Sequence, residues 1–164
     1  MTGTLLGIFN QNQAVALTVE YLVVAGGGGT CPYSGGAGAG GYRTNYSGTK
    51  LTLNLNNNYT CTVCAGGSSG SNTGTKGNNS VFSTITSTGG GFGNAQSSAN
   101  GGNGGSGGGA GSTDQSATIP GTGNEGGYSP SEGNDGGENN ISSPFATGIL
   151  LPGILLKALF NQFT

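Results

Sequence analysis

Three thiols, Cys31, Cys61 and Cys64, and six carboxylates are the side chains of this 164-residue chain whose types could do chemistry. There is no His, so the commonest general base and the commonest metal ligand are both missing. A structural zinc site takes four Cys or His ligands, which the chain alone cannot supply. Cys61 and Cys64 have the C-x-x-C spacing of a redox pair. They lie in NYTCTVCAGG, which reads as a strand, and strand alternation sends residues three apart to opposite faces. Both read as small packing residues, with a Cys31 pairing left open. Five of the acids, Asp114, Glu125, Glu132, Asp135 and Glu138, fall among glycines in the second half. SEGNDGGEN spaces oxygen ligands three apart, a pattern that could suit Ca²⁺, but solvated loop charges are the commoner cause of it. Gly36, Gly38 and Gly41 match G-x-G-x-x-G, yet no helix opens there and no acid lies between Glu20 and Asp114. No catalytic centre, cofactor or metal is expected.

Composition narrows the classes further. The chain holds 38 Gly and 5 Pro, a share that ordinarily signals low complexity or disorder. Only 6% of residues are charged, whereas disorder usually comes with high net charge. Arg43, Lys50, Lys76 and Lys157 form no basic patch, so nucleic acid is not expected as a partner. The opening MTGTLLGIF has neither Lys nor Arg nor a long apolar run. It is not read as a secretory signal, and release by lysis or within an assembly is the expectation.

Four segments must position whatever the chain presents. Residues 14–25, 50–56, 58–65 and 80–87 alternate or are rich in β-branched and aromatic types, and glycine segments punctuate them. The expected fold is all-β: a small antiparallel sheet or β-sandwich carrying glycine-rich loops or polyglycine-II-like segments, with a short C-terminal apolar helix. Leu22 to Val24, continuously apolar, reads as a stretch buried on both faces. Residues 50–56 and 58–65 read as a hairpin closed by Asn56 to Asn58, and Val63 reads as a ladder position. The organisation divides into an N-terminal arm (1–13), a glycine-punctuated β domain (14–93), a glycine-rich segment (94–140) and an apolar C-terminal segment (141–164).

Within GGNGGSGGGAGS, residues 101–112, glycine keeps a three-residue period. Gly102, Gly105, Gly108 and Gly111 fill one column, and Asn103, Ser106, Gly109 and Ser112 form a mixed column expected to face outward. Three residues per turn is polyproline-II geometry, which makes no internal hydrogen bonds. Fixing a residue costs roughly 1–2 kcal/mol, and a net hydrogen bond returns only about 1 kcal/mol. Such segments need a sheet to anchor their ends, or partner chains. The glycine column is therefore a candidate assembly surface. So are Ile154, Leu155, Leu159 and Phe160 in a helix expected over 153–163; Pro152-Gly153 interrupts that apolar run too early for a membrane span. Tyr33, Tyr42, Tyr46, Phe92 and Tyr128 stand among glycines and small polar residues, either as a contact surface or as covers for the ends of the sheet.

The order VEYLVVAGGGG, GGAGAGGYRTN, NYTCTVCAGG, NNSVFSTITSTGGG resembles the glycine-rich domain of tail-fibre and virion structural proteins of marine and cyanobacterial phages. The resemblance spans about residues 17–112. It departs at Cys61 and Cys64, where those proteins carry an apolar residue and a Gly, and in the apolar ending after Ser143. It implies a virion-surface or extracellular structural protein: a tail-fibre or adhesin subunit acting in host attachment. Its implied partners are copies of itself (a trimer among the options), other virion proteins and a host surface glycan or protein. A self-assembling extracellular filament or matrix protein of a cell is the alternative.

Overall fold

The computed structural model describes residues 16–95, 100–111 and 118–138. Its regular elements are seven short strands: β1 (Ala16–Val19), β2 (Leu22–Val24), β3 (Tyr42–Thr44), β4 (Leu51–Asn54), β5 (Cys61–Thr62), β6 (Ser80–Phe82) and β7 (Ile85–Ser87). No helix occurs among the described residues. The expected helix at 153–163, with Ile154, Leu155, Leu159 and Phe160, lies outside them.

The strands form three antiparallel sheets rather than one: β1 with β4, β2 with β3, and β5-β6-β7. In the first, Leu17 pairs with Leu53 and Val19 with Leu51, so the apolar residues of both strands share one face. The expected continuous strand 14–25 breaks after Val19, and Asn45 occupies the break. Its Oδ1 accepts from the Tyr21 N–H at 2.7 Å and its amide donates to the Val19 carbonyl at 3.2 Å. Past that stitch β2 changes partner to β3. Leu22 and Val24 of β2 are exposed and Val23 alone is buried, so burial on both faces does not hold.

The expected 50–56/58–65 hairpin is also replaced. The Asn57 N–H closes a turn onto the Asn54 carbonyl, and the Tyr59 hydroxyl accepts from the Asn54 N–H at 2.6 Å. That side chain takes up ladder groups a hairpin partner would need, and β5 pairs with β6 instead. Val63 falls beyond β5 and is 86% exposed. Residues 80–87 are themselves a hairpin, β6 and β7, turning at Ser83 in the left-handed region (φ 56°). The sheet formed by β2 and β3 packs against β6 and β7.

Among the described residues, the buried apolar side chains are only Val23, Ala25, Cys31 and Ala110. The interior is glycine backbone. Segments 25–30, 35–41, 65–70, 73–78 and 88–93 each continue from or lead into a strand: β2, β3, β5, β6 and β7 respectively. The sheets therefore anchor one end of each of these segments. Segments 100–111, 118–124 and 132–138 are hydrogen-bonded into the same array, so bonding crosses residue 94 repeatedly.

The bonding rotates along each segment. Gly105 to Ala110 donate in turn to the carbonyls of Gly89, Ala39, Asn134, Gly102, Gly36 and Gly137. Residues three apart return to the same side, Ser106 and Gly109 to 35–41, Gly107 and Ala110 to 132–138. Among the described glycines only Gly127 has a positive φ. Most of the others are required for their missing Cβ, with Gly27, Gly48, Gly66 and Gly109 among the exceptions. At Gly105 a Cβ would lie under 3.0 Å from the backbone of Gly41, and at Gly91 under 3.0 Å from that of Gly102.

Candidate functional site

Among the described residues the chemistry-bearing side chains are dispersed. All three cysteines are free thiols. The buried Cys31 Sγ donates to the Asn72 carbonyl at 2.9 Å, which ties a turn rather than a disulfide. Cys61 is exposed and Cys64 half-buried. The described acids of residues 118–138 do not converge. Asp135 Oδ1 accepts from the Gly123 N–H, Glu125 pairs with Lys76, and Glu132 turns inward. No cluster of three or more His, Cys, Asp or Glu that could hold a metal occurs among the described residues.

Glu132 is not the solvated loop charge that its setting among glycines suggests but a buried structural acceptor. It is 2% exposed. Its carboxylate accepts from the Thr88 N–H at 2.9 Å and the Gly126 N–H at 3.4 Å, while its carbonyl accepts from the Tyr42 N–H at 2.8 Å. One side chain thus joins the start of segment 88–93 to the loop 124–131, and its backbone adds β3. The available signal was the chain's poverty in charge: an acid there has few reasons to be present other than solvation or a buried donor.

The same loop builds a surface. Asn124, at φ 49°, accepts from the Tyr128 N–H at 3.0 Å and donates to the Tyr128 carbonyl at 3.0 Å. That closed turn holds the Tyr128 ring under the Arg43 guanidinium, 3.7 Å from the ring centroid. Arg43 also donates to the Thr86 carbonyl at 2.9 Å, so the cation is fixed to β7. Such a stacked cation contributes about 0.5–1 kcal/mol where exposed. Beside it on β3, Tyr42 is 55% exposed, and Tyr46 in the following turn is 75% exposed. The Thr44 hydroxyl accepts from the Tyr46 N–H and donates to the Tyr21 carbonyl, so the turn is fixed to the strand break.

Tyr33 lies elsewhere. It is 87% exposed at φ 60° in the turn joining segments 25–30 and 35–41. Tyr42 follows the far end of 35–41, and seven residues at about 3.1 Å each put the two on opposite ends of the array. Phe92 turns inward: its ring occupies the space that a Cβ on Gly102 would need. The five aromatics therefore divide into a strand-end group (Tyr42, Tyr46, Tyr128), a single residue at the turn end and a packing residue.

Gly102, Gly105, Gly108 and Gly111 are all buried, and a Cβ on any of them would meet neighbouring atoms at under 3.0 Å. Those neighbours, Phe92, Gly41 and Asn94 among them, belong to this chain, so the column is occupied intramolecularly. Ser106, expected outward, is buried. A hollow of about 340 Å³ lies between β2 and β5-β6, lined in part by Leu22, Val24, Val63 and Phe82.

A glycine-rich domain family model matches residues 4–152. The chain belongs to that family. Neither the curated proteins nor the solved structures contain a match. The match runs through strands and glycine segments alike, as does the hydrogen bonding of this glycine-rich domain. No described helix is long and apolar enough to cross a membrane.

Proposed function

We propose that this glycine-rich domain is a stiff display module, a bundle of polyglycine-II-like segments, in a tail-fibre or surface adhesin subunit of a bacteriophage particle. The observation that carries the reading is the rotating hydrogen-bond array around Gly105 to Ala110. A scaffold tied on most sides by backbone is stiff without a large apolar core, and its loops can vary without disturbing it. Display is the function such a scaffold serves best. Tyr42, Tyr46 and the Arg43–Tyr128 stack are the proposed contact surface toward a host glycan or protein: rigid aromatic groups that lose little entropy on binding. The resemblance of its strand segments to virion proteins supports a place on a particle.

The test has two arms. Mass spectrometry of purified particles should find the chain, and the purified protein should compete with particles for adsorption to host cells. Y42A/Y46A should lose the competition while melting as the unsubstituted protein does. Recovery of the chain from cell-derived filaments, and not from particles, would instead favour a matrix protein.

A further inference from the structure

Of the two edges of the β2-β3 sheet, that of β3 is engaged, since the Tyr42 N–H donates to the Glu132 carbonyl. That of β2 is open. The Ala25 N–H donates to the Gly41 carbonyl, so Val24–Tyr42 and Leu22–Thr44 are the non-bonded pairs of the ladder and Val23–Arg43 the bonded one. The N–H and C=O groups of Leu22 and Val24 therefore point away from β3. None of the four bonds to a described turn, loop or glycine segment. The neighbouring β6 has no ladder edge to offer them, because β5 and β7 take both.

Along this open edge lies the hollow of about 340 Å³, lined from β2 by Leu22 and Val24 and from the facing sheet by Cys61, Val63 and Phe82. Leu22 is 59% exposed, Val24 49% and Val63 86%. Sheets ordinarily charge or cover an edge of this kind, and two strands alone are marginal. The only charge in the lining is Glu20. Its carboxylate stands 3.9 Å from the Lys50 ammonium, with both side chains about half exposed. So loose a pair leaves room for a second cation.

The chain carries a segment of matching character. Past Glu138, where the described residues end, residues 148–160 read GILLPGILLKALF, with Lys157 as the one charge. Residues 4–9, TLLGIF, are apolar too but have no cation. The reach is sufficient. Segment 132–138 starts beside Tyr42 and ends beside Ala110, so Glu138 leaves at the turn end of the array. The strand end is about 22 Å away, at 3.1 Å for each of seven residues. Extended, residues 139–153 span up to about 50 Å.

We propose that residues 154–156 add to the open edge of β2 as the third strand of that sheet, closing the hollow with Ile154 and Leu156 and bringing Lys157 to Glu20. An added strand gains main-chain bonds from the edge and places alternate side chains in the hollow beside it. These three residues are then extended, and the helix expected over 153–163 starts later. The inference rests on the sheet edge and the sequence, and not on where the protein resides.

Amide exchange of the full chain at low and high concentration is the test. Leu22 and Val24 should exchange slowly, and equally so at both concentrations. I154D/L156D should quicken both by at least about tenfold, while segment 105–110 keeps its protection. K157E should quicken them by up to about fivefold, the effect of losing one exposed ion pair. A second measurement covers the case in which I154D/L156D does not fold. With diamide as oxidant, L156C should link to the exposed Cys61 within one chain, and faster than A146C does. Fast exchange at Leu22 and Val24 in the unsubstituted chain, or equal linking by L156C and A146C, would overturn the proposal. So would protection indifferent to I154D/L156D, which assigns the edge to another segment, or protection and links that arise only between chains, which assign it to a second copy.

Discussion

The sheets and the glycine array both pair backbone N–H with C=O, but they treat side chains in opposite ways. In β1-β4, alternate side chains stand clear of the ladder, so Leu17, Val19, Leu51 and Leu53 can be large. Around segment 105–110 neighbours approach from five sides, and a Cβ is tolerated only where a direction happens to be open. Sheet residues contribute through side-chain contact, array residues through its absence. The consequence is a different sensitivity to mutation. A sheet loses part of a contact when a side chain is trimmed; the array loses hydrogen bonds in several segments when a side chain is added.

The largest effect should therefore come from adding a methyl group. Gly105→Ala would place its Cβ under 3.0 Å from backbone of Gly41, whereas at Gly109 the nearest atoms are 3.3 Å away, at Gly36. We expect G105A to lose cooperative unfolding or to destabilise by more than about 3 kcal/mol, since overpacking alone costs 1–3 and hydrogen bonds are lost besides. G109A should cost under about 1.5 kcal/mol, because a neighbour need yield only slightly. Denaturant titration of the two variants checks the comparison. Equal stabilities would mean that the array does not pack as described. Ser106→Val belongs between them, as its side chain is buried.

The join between the two regions should be next. Glu132→Ala leaves the N–H groups of Thr88 and Gly126 without their acceptor, and Thr88 is buried. A lost acceptor for a buried donor costs about 1–3 kcal/mol. Glu132→Gln keeps an acceptor oxygen and should recover part of that. Thermal melts of the pair decide whether Glu132 acts as a hydrogen-bond acceptor or simply fills space; if it fills space, the isosteric Glu132→Gln melts like the unsubstituted protein instead of recovering only part of the loss.

How much of this could be read beforehand follows the same division. The three-residue glycine period at 101–112 was legible because it is a local pattern, and all four residues of the Gly102 column are buried. The strand segments were legible from alternation. Partner choice was not, because it was decided by single polar side chains: Asn45 ends β1 pairing, and the Tyr59 hydroxyl turns the chain away from a β4-β5 hairpin. An Asn or Tyr among many does not announce which backbone group it will take. Ser106 was misplaced because an outward column in one segment still faces inward when that segment is central. The inward turn of Glu132 is hidden for a related reason, since its donors come from segments 44 and 6 residues away.

Asn45 gives the third test. Asn45→Ala removes the acceptor for Tyr21 N–H and the donor to the Val19 and Thr49 carbonyls. These groups are partly exposed, so water replaces some of the loss and about 1 kcal/mol is expected. Amide exchange should quicken at Tyr21 and through β1 while segment 105–110 keeps its protection. Uniform quickening would show that the sheets and the array open together rather than as separate units.

The smallest effect is expected where the sequence promised one of the largest. Val63 sits in an alternating run, and as a mid-strand residue its replacement by proline should remove a ladder bond and abolish folding. The paired residues of β5 are Cys61 and Thr62 alone, Val63 is 86% exposed, and its N–H reaches no described acceptor in a turn or loop. Proline there sacrifices no interstrand bond and also restricts the unfolded chain. Its remaining cost is the conformational restriction on Thr62, which proline pushes toward the extended region that a strand residue already occupies. Val63→Pro should shift stability by less than about 0.5 kcal/mol, whereas Val81→Pro, in the central strand of the three-stranded sheet, should cost about 3 kcal/mol or more. Melting both variants side by side tests the register directly. If Val63→Pro is as damaging as Val81→Pro, β5 extends beyond Thr62, and the boundary between strand and glycine segment lies later than Val63.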